Sequence, residues 1–189
     1  MKHDRFSKLI LVVASSLICT LSCIVVHKEY PANQATRVET DVEMVRRAVA
    51  DVRSLGIALD SYAVDNNFYP KMKESEMRIG EFTFGSIRTV AEELWYYNRA
   101  LPKEDPWESH YFFWSEGQNY AILCLGSDKI VTHTAKLEKL LKAIVERGEP
   151  VSSRSHCMED EIVFANGTMV WWPKDPIQQC SSTAMNNGS

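Results

Sequence analysis

The stretch "SYAVDNNFYPKM", Ser61–Met72, ends a long helical pattern. Upstream of it, apolar residues recur at spacings of three and four, which predicts an amphipathic helix from about Ala35 to Val64. The apolar stripe consists of Val38, Val42, Val45, Val49, Val52, Leu59 and Ala63, with Gly56 at a small position. Asn66 and Asn67 tolerate left-handed backbone angles, and Pro70 cannot continue a helix. The sequence therefore contains a built-in helix terminator.

Downstream of this terminator, short helical and strand patterns alternate. The predicted elements are a loop from Lys71 to Gly85, a helix of about three turns that Ser86 caps, strands near His110–Ser115 and Tyr120–Leu125, a third helix within Thr132–Pro150, and a terminal hairpin around Asn166–Gly167. An Asn-Gly pair between two apolar runs is a strong hairpin signal because both turn positions favour positive φ. The pattern predicts an α+β domain, in which the long amphipathic helix packs on a small antiparallel sheet.

The N-terminal segment predicts export from the cytoplasm. Lys2, Arg5 and Lys8 precede an uncharged apolar run, Leu9–Val26, whose length suits either a removable signal peptide or a membrane anchor. The positive-inside rule places the residues after this run outside the cytoplasm. We therefore divide the chain into a signal peptide or membrane anchor (1–26), a linker (27–34), the folded domain (35–180) and a disordered tail (181–189).

Composition excludes some classes of function. The chain has 189 residues, enough for one domain, and its net charge of -4 makes nucleic acid an unexpected partner. The aromatic residues of the strands could line a binding groove, but strand alternation makes core packing the better interpretation for Tyr111, Phe112, Phe113, Trp114, Trp171 and Trp172.

The cysteines suggest structural roles rather than catalysis. His156 and Cys157 are adjacent, but no second Cys or His lies at zinc-motif spacing and no nucleophile framework accompanies them, so we expect no enzyme. Export favours a disulfide between Cys157 and Cys180, which flank the terminal hairpin, and Cys124 is expected to be a buried thiol. The segment "TLSC", which ends at Cys23, resembles a bacterial lipoprotein signal and makes this cysteine a candidate for lipidation.

Three blocks, in order, carry a family resemblance. They are "DVRSLGIALDSYAVDNNFYP" (51–70), "LPKEDPWESHYFFWSEGQNYAILCLGSD" (101–128) and "EDEIVFANGTMVWWP" (159–173). The chain resembles the major pseudopilin of type II secretion systems, a type IV pilin-like family. The resemblance implies a non-enzymatic structural or assembly protein of the bacterial cell envelope, with its globular domain in the periplasm. It also implies other pilin-like or secretion-machinery proteins as partners, and contact with the membrane through the N-terminal segment.

The chain departs from the family pattern in two places. No glycine for prepilin cleavage precedes the apolar run, and Leu9–Val26 contains no glutamate for fibre assembly. The alternative is therefore a stand-alone anchored or lipidated binding module that does not polymerise. The family binds calcium through a glycine-rich loop, which a predicted helix replaces here. The resemblance implies Asp128, Asp160, Leu125 and Ser127 as the corresponding calcium ligands. The simpler interpretation places Asp128 in a turn and Asp160 on the surface before a strand.

Overall fold

The computed structural model describes residues 32–148, 152–155, 157 and 160–173. The described residues from Arg37 onward belong to one compact unit. The long helix α1 runs from Ala32 to Asn66, so it begins three residues earlier and ends two residues later than predicted. The predicted N-terminal anchor lies outside the described residues.

The predicted terminator ends α1. Asn67 adopts a left-handed φ of 62°, and its N–H donates to the carbonyl of Ala63 at 2.8 Å. Two residues on, the N–H of Tyr69 donates to the carbonyl of Gly117 at 2.8 Å. The chain therefore leaves the helix and is tied at once to the tip of a strand hairpin.

A seven-stranded sheet forms the centre of the domain. The strands are β1 (Met77–Ile79), β2 (Phe82–Ser86), β3 (Phe112–Ser115), β4 (Tyr120–Cys124), β5 (Ser153–Ser155), β6 (Ile162–Ala165) and β7 (Thr168–Pro173). Their spatial order is β1-β2-β3-β4-β6-β7-β5. All neighbours are antiparallel except the edge strand β5, which pairs in parallel with β7.

The sheet has an apolar cluster on each face because both faces are covered by a helix. One cluster joins α1 to the sheet through Val52, Leu55 and Leu59, which are at most 1% exposed. Burying each of these side chains stabilises the fold by ~1.5–3 kcal/mol. The other cluster packs the helix α3, Thr134–Arg147, on the opposite face through Leu137, Leu140, Leu141 and Ile144. The domain therefore has three layers.

Two local predictions are wrong. The segment from Lys71 to Gly85 is not a loop, because it contains the hairpin of β1 and β2. The two strands meet at Gly80, whose φ of 58° suits a two-residue turn. The second helix is also shorter than three turns: a 3-10 turn, Ile87–Val90, leads into the single-turn helix α2, Ala91–Leu94. Its predicted cap is confirmed, because the Ser86 hydroxyl accepts from the N–H of Arg88 at 3.3 Å.

Other predictions are confirmed. The third predicted helix is α3, which ends at Gly148 with a left-handed φ of 71°. The terminal hairpin turns at Asn166 and Gly167, whose φ angles are 45° and 77°. Of the six aromatic residues for which the sequence predicts core packing, four are buried, namely Tyr111, Phe113, Trp114 and Trp171. The aromatic side chains therefore form the core of the sheet rather than an open groove.

Candidate functional site

Three ionisable side chains meet beside the start of α3. His133 is the residue before α3, and Asp160 and Glu161 directly precede β6. One ligand atom from each lies within 4.8 Å of the others. We call these three residues the carboxylate–histidine cluster. Asp160 and Glu161 are buried, whereas the His133 side chain is 34% exposed.

Glu161 is the centre of this cluster. Its Oε1 accepts from the backbone N–H of His133 at 3.0 Å and also from the N–H of Thr132. Its Oε2 lies 3.0 Å from Nδ1 of His133. A carboxylate oxygen accepts, so this contact is a hydrogen bond in the tautomer that carries the ring hydrogen on Nδ1. Both oxygens of a fully buried carboxylate are therefore satisfied by donors from one short segment.

Asp160 is held by a different segment. Its Oδ2 accepts from the backbone N–H of Cys157 at 3.2 Å, and its Oδ1 lies 3.8 Å from Nδ1 of His133. The ring of His133 also packs 5.4 Å from the ring of Trp171, over which Nζ of Lys136 lies at 3.8 Å from the centroid. The side chains of His133 and Lys136 therefore both contact the ring of Trp171.

This donor set does not match what calcium requires. A hard cation of this kind takes six to eight oxygen ligands. Here one of the three side chains offers a nitrogen, and three of the four carboxylate oxygens already accept from N–H groups. The residues present therefore fit an internal hydrogen-bonded cluster better than a calcium site.

The predicted calcium ligands come from two segments, one that follows β4 and one that precedes β6, and these two strands are paired where Cys124 lies opposite Ile162. Leu125 is buried, whereas Ser127 and Asp128 are exposed in the turn that follows β4. Oδ1 of Asp128 accepts from the N–H of Ile130 at 3.0 Å, as in an ordinary Asx turn. Asp160 belongs to the carboxylate–histidine cluster, of which Asp128 is not a member. Calcium at these four residues stays a prediction.

Sequence reasoning missed the importance of His133 and Glu161. Glu161 was visible only as the third of three consecutive acids before an apolar run, and His133 only as a polar residue before a helix. A carboxylate next to a strand that is predicted to be buried needs a partner, because an unpaired buried charge costs free energy. The identity of that partner depends on the tertiary fold.

The cysteine predictions have different outcomes. Cys23 and Cys180 lie outside the described residues, so lipidation and the disulfide with Cys157 stay predictions. Cys124 is fully buried, as predicted. Burial raises the pKa of its thiol well above the ordinary value, and the nearby Asp105 carboxylate raises it further. A thiol with so raised a pKa is a poor nucleophile.

Asp105 organises the loop between α2 and β3. Its Oδ1 accepts from the backbone N–H groups of Trp107 at 3.0 Å and Ser109 at 2.8 Å, and its Oδ2 lies 3.4 Å from Sγ of Cys124. Burial raises the pKa of this carboxyl, an effect that its hydrogen bonds partly oppose. The aspartate of the "DPW" block is therefore a structural residue that fastens the loop to β4.

Three tyrosines bind α1 to the rest of the domain. Tyr111 donates to Asp51 at 2.9 Å, Tyr69 donates to Asp60 at 3.1 Å, and Tyr97 donates to Asp65 at 3.0 Å. We call these contacts the tyrosine–aspartate bonds. Burial, with the neighbouring Asp60, raises the pKa of Tyr69 to about 12, so its hydroxyl keeps its proton at neutral pH. All three tyrosines therefore act as donors to one helix.

None of the helices in the described part of the chain combines the length and the apolar composition that a bilayer crossing requires.

A long helix that lies along one face of an antiparallel sheet, and is tied to it at its end, defines a pilin-like architecture. The family model for type II secretion system (T2SS), protein G, matches residues 37–140, which is more than half of the chain. The chain belongs to this family, the major pseudopilins, and the family is associated with the bacterial envelope. Neither the comparison with curated proteins nor that with solved structures gives a significant match.

Proposed function

We propose that this protein is an exported, non-enzymatic structural component that takes part in type II secretion through contacts with other pilin-like or secretion-machinery proteins. The observation that carries the proposal is the family match over residues 37–140, which extends from α1 into α3. The proposed location is the cell envelope, with the N-terminal segment in the membrane and the folded domain in the periplasm.

The packing of α1 supports a structural role. Its apolar stripe is buried against the sheet, and the tyrosine–aspartate bonds fix its polar side. From Arg37 onward the helix belongs to the same compact unit as the sheet. Such attachment suits a subunit that must keep its shape between neighbours in an assembly.

The state of the reactive side chains supports a non-enzymatic role. Cys124 is buried and the pKa of its thiol is raised. A catalytic nucleophile needs access to a substrate, which this thiol does not have.

A second candidate function is the stand-alone anchored module. It is favoured by the absence of glutamate in Leu9–Val26, because pilin-like assembly uses a glutamate in this segment. On this alternative the domain keeps the fold and binds a partner without forming a fibre.

The two candidates are separated by a secretion assay in the source bacterium. The gene is deleted and then restored as wild type, as Val52→Asp, which disrupts the core, or as Arg53→Asp, an exposed control on the same helix. For the assembly role we expect the deletion and Val52→Asp to lose type II cargo from the culture medium, measured by mass spectrometry, and Arg53→Asp to restore it. Unchanged secretion after deletion would refute the assembly role and leave the anchored module.

Topology is tested separately with reporter fusions. Alkaline phosphatase joined after Asn187 should be active, because the positive-inside rule places that end outside the cytoplasm. An inactive phosphatase, together with an active cytoplasmic reporter at the same position, would contradict export.

A further inference from the structure

The buried pair Asp160 and Glu161 needs compensation, because two adjacent carboxylates out of water repel each other and lose hydration. In metal-binding proteins a cation supplies it. We propose that in this protein the segment entering α3 replaces such a cation, so that the carboxylate–histidine cluster is complete and the domain needs no calcium to fold. This inference concerns the domain alone and goes beyond the proposed role in secretion.

The compensating groups come mainly from two consecutive residues. Thr132 and His133 give their backbone N–H groups to one oxygen of Glu161, and the imidazole of His133 faces the other. These groups lie at the start of α3, where the helix dipole also favours an anion. One side chain and one helix terminus therefore act together on a single buried carboxylate.

Calcium would have to displace these contacts. An ion bound between Asp160 and Glu161 needs the carboxylate oxygens that now accept from N–H groups. Nδ1 of His133 already lies 3.0 Å from Oε2 of Glu161 and 3.8 Å from Oδ1 of Asp160. The imidazole is itself fixed against Trp171, with the Lys136 ammonium on the same ring. The buried carboxylates therefore already have hydrogen-bonding partners from the protein itself.

The experiment compares the thermal stability of the full-length protein, purified in mild detergent, in EGTA, in about 5 mM CaCl2 and in a lower concentration of ZnCl2. Extracellular calcium modules bind with dissociation constants of roughly 10⁻⁴–10⁻³ M, so this calcium concentration would load such a site. We expect the same Tm, within about 1 °C, in all three conditions. A rise of about 3 °C or more with either metal would overturn the proposal, because ligand binding to the folded state raises Tm.

Two variants test the role of the imidazole. His133→Asp replaces it with a third carboxylate, and we expect a lower Tm in EGTA that CaCl2 restores. His133→Asn keeps an N–H donor without a negative charge, and we expect a smaller loss that calcium leaves unchanged. Lys139→Asp, at an exposed position of α3, adds negative charge away from the cluster and should show no calcium response.

The readouts remain decisive if a variant does not fold. Isothermal titration calorimetry of the wild-type protein with CaCl2 should show no saturable binding, and saturable binding would overturn the proposal. A His133→Asp protein as stable as wild type in EGTA would also overturn it, because the imidazole would then be unnecessary. These results are independent of the secretion assay, so the failure of one proposal is distinguishable from the failure of the other.

Discussion

Gly56→Ala should destabilise the protein, although the same change in most helices stabilises them. Alanine is favoured over glycine by about 0.5–1 kcal/mol in a helix interior. Gly56 lies in the middle of α1 and is buried against the sheet. A Cβ at this position would lie 2.2 Å from Cε1 of Phe164 and 2.9 Å from its Cδ1. The close approach of α1 to β6 therefore opposes the usual preference.

The magnitude follows from how far the ring must move. Carbon atoms in contact normally lie ~3.5–4.0 Å apart, so the ring of Phe164 must retreat by more than about 1 Å. Phe164 is itself 5% exposed and packs near Tyr120, so little room is open to it. Overpacking of this kind typically costs 1–3 kcal/mol, which exceeds the gain in helix propensity. We expect a net loss of about 1–2 kcal/mol in the free energy of unfolding.

Urea unfolding of the full-length protein in mild detergent, followed by tryptophan fluorescence, measures this loss. Phe164→Leu is the matched background, because the smaller side chain leaves room for the new methyl group. In that background Gly56→Ala should be neutral or stabilising, which gives a coupling energy of roughly 1 kcal/mol or more. Arg53→Ala, exposed on the same helix, should change stability by no more than about 0.5 kcal/mol. A Gly56→Ala protein more stable than wild type would refute the packing argument.

Four further predictions follow from individual residues. Val52→Asp places a charge at a fully buried site that now contributes ~1.5–3 kcal/mol, so the variant should be unfolded by circular dichroism, and a wild-type melt would contradict the packing of α1. Asp105→Ala leaves two N–H groups without an acceptor and should cost about 1–3 kcal/mol, whereas Asp105→Asn keeps the acceptor. Because burial raises the pKa of Asp105, its contribution to the free energy of unfolding is most favourable at low pH and falls as pH rises through the folded-state pKa. Asp105→Asn should lose this pH dependence in urea titrations. Equal losses of stability for Asp105→Ala and Asp105→Asn would argue against the loop contact. Non-reducing peptide mapping should find Cys157 joined to Cys180, a link worth ~3 kcal/mol on the chain-entropy model, and free thiols at both positions would exclude it. Palmitate labelling should be lost in Cys23→Ser, and labelling that survives this change would exclude Cys23 as the acceptor.

The ends of several helices and one turn could be predicted from a few neighbouring residues in the sequence. The stop at Asn66–Pro70, the α3 end at Gly148 and the turn at Asn166–Gly167 all depend on backbone angles that particular residues favour. The small position at Gly56 was also visible, but its reason, the ring of Phe164, belongs to a strand far away in the chain. Local chemistry therefore fixed where elements end.

Pairing in space was less predictable. The β1–β2 hairpin had a signal, because Met77, Ile79, Phe82 and Phe84 alternate with polar residues around Gly80. Such short strands are stabilised by tertiary partners, here β3 beside β2 and the helix α3 against the apolar face. The carboxylate–histidine cluster depends on β4 and β6 becoming neighbours with α3 between them in sequence. Nothing in the spacing of His133 and Glu161 shows that their side chains meet.

The attachment of α1 also determines how the domain responds to mechanical load. A pull on the N-terminal end of α1 acts along the helix axis, parallel to the surface on which Val45–Leu59 are buried. Such a force shears the buried contacts and the tyrosine–aspartate bonds together, so the load is distributed over them. Peeling, in which contacts break one after another, would require a pull perpendicular to the helix. The domain is therefore most resistant to tension along the direction in which its helix points.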